Sequence, residues 1–231
     1  MNPTTIVVLS TIAFKEALIE LIPHFERTSV HKVNVAFAGG PITAQKVRDG
    51  APGDLFIGPA EFSDALLAEG KLVAGSRIPF AISGSAVAVR SGTPHPDIST
   101  EAAFRATFLN AKSVAYSRGA SGIQFLQVLE RLGIADAVKA KHVAPQPGEL
   151  VGAVLVRGGA EIGVQQLSEL LPVAGIDILG PLPKSLQVPI VYAASVLPQS
   201  TAREAAQEFV RFLRSPDAAG IIRAKGMEPA P

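Results

Sequence analysis

The chain contains no cysteine, which excludes disulfides, thiolate nucleophiles and cysteine-based metal sites. Histidine is scarce. His24, His31, His95 and His142 form no ligand-spaced pair such as H-x3-H, so no metal site is expected. Each reads most simply as a surface or helix-edge residue. An excess of charge of one sign is also missing. The net charge is +1, charged residues are 18% of the chain, and no run of Lys/Arg interleaves with aromatics. That leaves no electrostatic footprint for a nucleic acid. No apolar stretch approaches the ~20 residues of a membrane span, so membrane insertion is not expected. The familiar catalytic signatures are absent too: no G-x-S-x-G, no H-E-x-x-H and no EF-hand loop. Gly39-Gly40 is not part of a G-x-G-x-x-G and no P-loop lysine follows it, so no cofactor is implied.

What is present is core material. At 231 residues and 48% hydrophobic the chain can bury one or two cores, and its low charge argues against disorder. Met1-Asn2-Pro3-Thr4-Thr5 lacks the basic start of a secretory signal and runs into Ile6-Val7-Val8-Leu9. The expectation is a cytoplasmic location if Met1 is the native start, and a periplasmic one if a signal peptide has been removed.

Residues 5–9 are apolar on both faces, as buried parallel strands are. Ser10 or Thr11 offers an N-cap to a helix burying Phe14, Ala17, Leu18, Leu21, Ile22 and Phe25. Strands over 33–37 and 54–57 alternate with helices over 42–48 and 60–69. Further strands are expected over 83–89, 113–116, 142–143, 161–164, 176–179 and 187–196. Between them lie helices over 100–109 (under Ser99 as cap), 121–132, 135–140, 148–157 and 167–171. In helix 121–132 the inward face is Ile123, Leu126, Leu129 and Val128. Helices 201–214 and 216–225 close the chain. Strand–helix alternation at this spacing implies right-handed βαβ units and a parallel sheet. The longer strands near 82–89 and 188–196 stand where a chain could leave one α/β lobe and return to it. A single doubly wound sheet would give the same alternation.

In parallel α/β sheets, ligands lie at the carboxyl ends of strands, against helix N-termini that favour anions. Four turns qualify: Leu9-Ser10-Thr11, Ala38-Gly39-Gly40-Pro41, Ser117-Arg118-Gly119-Ala120-Ser121-Gly122 and Val164-Gln165-Gln166. Taken alone, any one of them is more simply explained by ordinary capping and loop chemistry. Gln165 and Gln166 carry more information, since two amides at an apolar strand end are costly to bury without partners. Arg118 precedes a helix N-terminus, where the dipole does not favour a cation. Its companion there is a carboxylate or oxyanion, or simply solvent. The candidate ligand-binding residues are thus Ser10, Thr11, Gly39, Gly40, Arg118, Ser121, Gln165 and Gln166. Asp54 and Glu149 can serve as caps, and Glu169 reads as a solvated helix residue.

The segment Asp49-Gly50-Ala51-Pro52-Gly53-Asp54-Leu55-Phe56-Ile57 resembles the G-A-P-A-D-L-F-I stretch of bacterial molybdate-binding proteins, receptors of ABC transporters. The likeness continues through Lys71-Leu72-Val73-Ala74-Gly75-Ser76-Arg77, Leu129-Glu130-Arg131-Leu132-Gly133-Ile134 and Ala160-Glu161-Ile162-Gly163-Val164, and ends at Lys225-Gly226. It implies a two-lobed class II periplasmic-binding-protein fold with a ligand cleft between lobes, lobe one being 1–82 with 190–231 and lobe two 83–189. It also implies a small anionic ligand and an ABC-transporter permease as partner. Receptors of that family hold the oxyanion with serines of the first and second turns and a tyrosine of the fifth. Here the first turn keeps Ser10 and Thr11 with Ala13 where the serine would fall, the second is Gly39-Gly40-Pro41, and Gln165 or Gln166 replaces the tyrosine. Ser121 and Leu150 match positions that contribute backbone. These departures point away from molybdate and tungstate, toward an organic carboxylate. The Val-Gln-Gln variant is similar to a molybdate-binding-like subgroup that aconitate isomerase, which shifts a double bond in a tricarboxylate, also resembles. The expected function is therefore reversible binding of a small anion. The alternative is an isomerase of unsaturated carboxylic acids on the same scaffold.

Overall fold

The computed structural model describes residues 2–231. They fall into two units, the first running to Ser83 and resuming over Ile190–Pro231, the second Gly84–Pro189. The chain opens with β1 (Thr5–Thr11), whose Ile6, Val8 and Leu9 are buried together with Ser10 and Thr11. A short 3-10 turn, Ile12–Phe14, leads to α1 (Lys15–Thr28). There follow β2 (Lys32–Ala38), α2 (Gly40–Arg48), β3 (Leu55–Pro59), α3 (Ala60–Ala68) and β4 (Ile78–Ser83).

The second unit holds β5 (Ser85–Arg90), α4 (Glu101–Asn110), β6 (Val114–Tyr116), α5 (Ala120–Arg131), α6 (Ala135–Lys139) and β7 (His142–Val143). It closes with α7 (Val151–Val156), β8 (Ile162–Gln166), α8 (Leu167–Leu170) and β9 (Ile176–Pro181). The chain re-enters the first unit as β10 (Ile190–Val196), α9 (Arg203–Leu213), α10 (Pro216–Ala224) and β11 (Met227–Pro229).

Each unit has its own sheet. The first is ordered β11-β4-β10-β3-β1-β2, the second β7-β6-β8-β5-β9. β1, β2 and β3 are parallel, and β10 runs against both β3 and β4. In the second sheet β6 is parallel to β7 and β8, while β5 is antiparallel to β8 and β9. The carboxyl ends of the parallel strands therefore gather Thr11, Ala38 and Pro59 on one edge of the first sheet, and Tyr116, Val143 and Gln166 on one edge of the second.

Apolar burial covers both faces of the second sheet. One face packs Phe104, Phe108, Phe125 and Tyr116 with Val114, Ile162 and Val164. The other packs Ala86, Ala88 and Ala115 against Val151, Val154 and Leu155 of α7. The small residues of β5 and β6 let α7 lie close. In the first unit Phe14 meets Phe80 at 4.9 Å between ring centroids, and Phe25 meets Phe209 at 5.0 Å, separations typical of stabilising aromatic pairs.

Several expectations need correction. The strand expected over 83–89 is β5 from Ser85 on, while Ser83 ends β4 of the other sheet and Gly84 separates the two. The break falls at Ser83-Gly84-Ser85, a small polar interruption between two apolar runs that marks it in the sequence. Helix α4 is capped by Thr100, which accepts from the Ala103 N–H at 3.1 Å, rather than by Ser99. The expected helix 148–157 is shorter, because Gly148 has φ +82 and Leu150 is extended. Ile123 is 42% exposed instead of inward, and His31 is buried beside Glu208. No helix among the described residues is long and apolar enough to cross a membrane.

Candidate functional site

In the first unit Ser10 and Thr11 sit at the end of β1, the middle one of the three parallel strands, between β2 and β3. Ser10 is opposite Phe37 and Ile57, and Thr11 opposite Ala38. Neither side chain caps the helix that follows, contrary to the sequence expectation. The Ser10 hydroxyl donates to the Thr11 carbonyl at 3.3 Å. The Thr11 hydroxyl is buried with no partner, a state that costs desolvation unless something fills it. The neighbouring turn is tied by Thr43, whose hydroxyl lies 3.1 Å from both the Ala38 and Gly39 carbonyls. Gly39 and Gly40 differ in role. A side chain at Gly39 would meet nothing within 4 Å, whereas one at Gly40 would strike the Phe62 ring at 2.6 Å. Gly40 is thus explained by packing and Gly39 faces open space. Ile42, in the first turn of α2, is 45% exposed.

In the second unit the turn after β6 is shaped by serines. Ser121 is buried, with its hydroxyl 3.3 Å from that of Ser117, which also accepts from the Gly119 N–H at 3.2 Å. No side chain caps the N-terminus of α5, so its first amide donors remain available. Arg118 is exposed and makes no ion pair or hydrogen bond among the described residues. Beneath it, Tyr116 stacks on His142 at 3.7 Å between centroids, and the His142 ring lies 3.0 Å from the Tyr116 carbonyl.

The two glutamines end β8, and their partners lie within the unit. The Gln165 carbonyl oxygen accepts from the Val151 N–H at 2.8 Å, satisfying the first amide of α7. Its amide nitrogen donates to one oxygen of Glu169 at 2.8 Å, and that of Gln166 to the other at 3.1 Å. Because a backbone N–H must face oxygen, the orientation of the Gln165 amide is decided. Glu169, expected to be solvated, is instead partly buried and clamped. Burial pushes its carboxyl up to about 7, against the lowering effect of the two glutamine hydrogen bonds.

That shift has a consequence for stability. The folded state holds the Glu169 proton more tightly than the unfolded chain does. The contribution is thus fully present below the ordinary value of 4.5 and is lost as pH rises through about 7. Glu169→Gln is expected to flatten the fall in urea midpoint between these pH values. An unchanged slope would remove Glu169 as its source.

Thr43, Glu169, Ile42 and Ile123 join the eight expected residues at these two edges. Thr43 follows Gly39 at a spacing that suits a capping hydroxyl, a signal the sequence does carry. No group of three or more His, Asp or Glu side chains among the described residues is placed to hold a metal ion.

Two α/β units, each built on a mixed sheet and joined by two crossings of the chain, define the periplasmic-binding-protein class of fold. Residues 6–228 match the family model described as bacterial extracellular solute-binding protein, and the chain belongs to that family. It is 36% identical over 236 residues to aconitate isomerase of Pseudomonas sp., covering 99% of this chain and 89% of that protein. It is 28% identical over 225 residues to the molybdate-binding protein ModA of Azotobacter vinelandii, covering 92% and 85%. Among solved structures, the sulfate-binding protein SubI of Mycobacterium tuberculosis superposes with a TM-score of 0.82 at 18% identity, over 98% of this chain and 87% of that one.

Proposed function

We propose that this solute-binding protein takes a small organic carboxylate in preference to molybdate or tungstate, and delivers it to an ABC-transporter permease. The supporting observation is a pair of side chains at the start of α5. Arg118 is an exposed guanidinium without a partner, and Ile123, in the helix's first turn, is an exposed apolar side chain. In the first unit Ile42 stands likewise beside Gly39. A tetrahedral metalate has no carbon surface for an isoleucine to cover. An organic acid offers both a carboxylate for the guanidinium, in bidentate fashion, and a hydrocarbon frame. The extended similarity to an aconitate isomerase points to the same ligand class. The proposed binding residues are Ser10, Thr11, Gly39 and Gly40 in the first unit, and Arg118, Ser121, Gln165 and Gln166 in the second. For the glutamines the role is indirect, since Gln165 has both ends of its amide engaged.

The test is a thermal-shift and calorimetry series over molybdate, tungstate, sulfate and di- and tricarboxylates. A ligand at ~100 times its Kd stabilises by ~2.7 kcal/mol, and that shift is expected from a carboxylate and not from molybdate. Arg118→Ala is expected to weaken the carboxylate by more than ~1.5 kcal/mol, about tenfold, through loss of a charge-assisted contact. Its unfolding midpoint should not move, because Arg118 is exposed and makes no ion pair or hydrogen bond among the described residues. Sub-micromolar molybdate affinity would overturn the assignment.

A further inference from the structure

Most cations of the second unit are engaged within it. Arg105, Lys141 and Arg131 donate to the carbonyls of Leu132, Leu109 and Ser185, and Lys139 and Arg157 pair with Glu130 and Glu149. Arg90 and Lys112 are different. Both are exposed, and neither side chain makes an ion pair or hydrogen bond among the described residues. Both line one cavity of about 500 Å3. It lies where β6 and β8 begin and β5 ends, the edge of the second sheet opposite Tyr116 and Gln166.

The strand register makes the open guanidinium informative. Val89 is paired with Ile162, so Arg90, one step on, stands across from Glu161. The Glu161 carboxylate instead accepts from the Lys112 backbone N–H at 2.6 Å. The guanidinium lies over Gly158, where an added Cβ would be 3.6 Å from one of its nitrogens. Its fork of donors is left open to an incoming anion. The walls around it are fixed. In the loop after β5 the Thr93 hydroxyl donates to the Arg90 carbonyl at 2.6 Å, and the Asp97 carbonyl accepts from the Thr107 hydroxyl at 2.7 Å. Asp177 of β9 accepts from the Ser91 hydroxyl at 2.7 Å and lies 3.0 Å from the His95 ring. From this tethered loop Pro94 and Pro96 face the cavity as apolar wall without an amide donor to satisfy. The floor is Val89, Ala111, Ala160 and Ile162, all buried.

We propose that this cavity is a second ligand site, for a small organic acid with one negative charge and an apolar body, of the aromatic monocarboxylate type. Two cations and one carboxylate, Arg90, Lys112 and Glu161, line it, so one negative charge on the ligand balances the lining. The volume falls in the range of small-molecule sites. An inorganic oxyanion would leave the apolar floor to water, whereas a ring covers it. The carboxylate takes the guanidinium, and the Asn110 amide at the rim offers a further hydrogen bond. Arg118 and the turns at the other edge of the sheet take no part, so the two sites stand or fall separately.

The test is a titration of benzoate into the isotope-labelled full chain, followed by amide NMR, with calorimetry alongside. Saturable shifts are expected at Thr93, Asn110, Lys112 and Gly158, with a Kd below about 1 mM. Acetate has the charge without the ring, and benzyl alcohol the ring without the charge. Each is expected to bind at least ~10-fold more weakly. Replacing Arg90 and Lys112 together with alanine is expected to weaken benzoate at these amides by at least ~10-fold. Arg118→Ala should leave them unchanged. The unfolding midpoint of the double variant should stay in place, because neither side chain loses a partner and the Glu161 contact uses the Lys112 backbone. Benzoate shifts confined to the turn at 117–122 would overturn the second site and leave the carboxylate reading of that turn standing. Undiminished binding in the double variant overturns it as well, as does benzyl alcohol matching benzoate or the absence of any shift.

Discussion

Replacing Asp54 with alanine is expected to destabilise the first unit by about 3–5 kcal/mol, as loss of a buried charged acceptor does. Asp54 precedes β3 and is only 5% exposed. One carboxylate oxygen accepts from the Val7 N–H at 2.8 Å. The other accepts from the Ser200 hydroxyl at 2.8 Å and from the N–H groups of Thr201 and Ala202 at 3.2 Å each. The residue thus ties the loop that leads into α9, almost 150 residues later, to β1, rather than capping a helix as its sequence position allowed. Its backbone adds to the junction: the N–H donates to the Val7 carbonyl at 2.7 Å and the carbonyl accepts from Leu197 at 3.0 Å. Alanine leaves four donors facing a void, at a cost of about 1–3 kcal/mol for each one that water cannot reach. Asparagine keeps one acceptor oxygen and turns an NH2 toward a donor, so roughly half the loss is expected. Urea unfolding followed by circular dichroism measures both. A shift below ~1 kcal/mol for alanine would mean that water replaces the carboxylate freely, and that the junction is looser than its distances indicate.

Asp54 also illustrates what was legible in the sequence. Strands that bury both faces announce themselves, and residues 5–9 and 161–164 lie within β1 and the β8 region with small boundary differences, while 33–37 lies within β2, an edge strand that alternates exposed and half-buried residues. The turns at their carboxyl ends were legible for the same reason, since a parallel strand followed by a helix fixes where its amides point. What each polar atom does there is another matter, because it depends on neighbours distant in the chain. Gln165 looked like a ligand group because a buried amide needs partners, and its partners are Val151 and Glu169. Thr11, beside an equally ordinary Ser10, is the hydroxyl left without one. Ile123 projects outward, because the buried face of α5 is set by Ser121, Gln124, Phe125, Val128 and Leu129 and Ile123 lies on the opposite side of the helix. Strand β11 follows a helix stopped by Gly226. Three residues ending in proline carry too little pattern to be distinguished from a tail.

Gly122→Ala is expected to cost about 2–4 kcal/mol of stability and at least ~10-fold in ligand affinity, because overpacking against backbone cannot be relieved by a rotamer change. Gly122 is buried in the first turn of α5, directly against the chain that leaves β6. A Cβ there would lie 1.7 Å from the Ser117 carbonyl oxygen, 2.6 Å from its carbon and 3.4 Å from its Cα. Either the Ser117–Gly119 turn moves away or the helix start unwinds. Both displace Arg118 and separate Ser121 from Ser117, whose hydroxyls now sit 3.3 Å apart. Alanine's better helix propensity returns only about 1 kcal/mol. Gly119→Ala is the matched control, three residues earlier in the same turn. Gly119 has φ −83, and a Cβ there would meet only the Ser117 hydroxyl, at 3.6 Å, so a cost of about 1 kcal/mol or less is expected. Unfolding midpoints and calorimetric affinities of the two variants, read against wild type, separate close backbone approach from a general need for glycine in the turn. If Gly122→Ala folds as stably as Gly119→Ala, the turn adapts without cost, and the rigid presentation of Arg118 that the carboxylate site relies on is lost with it.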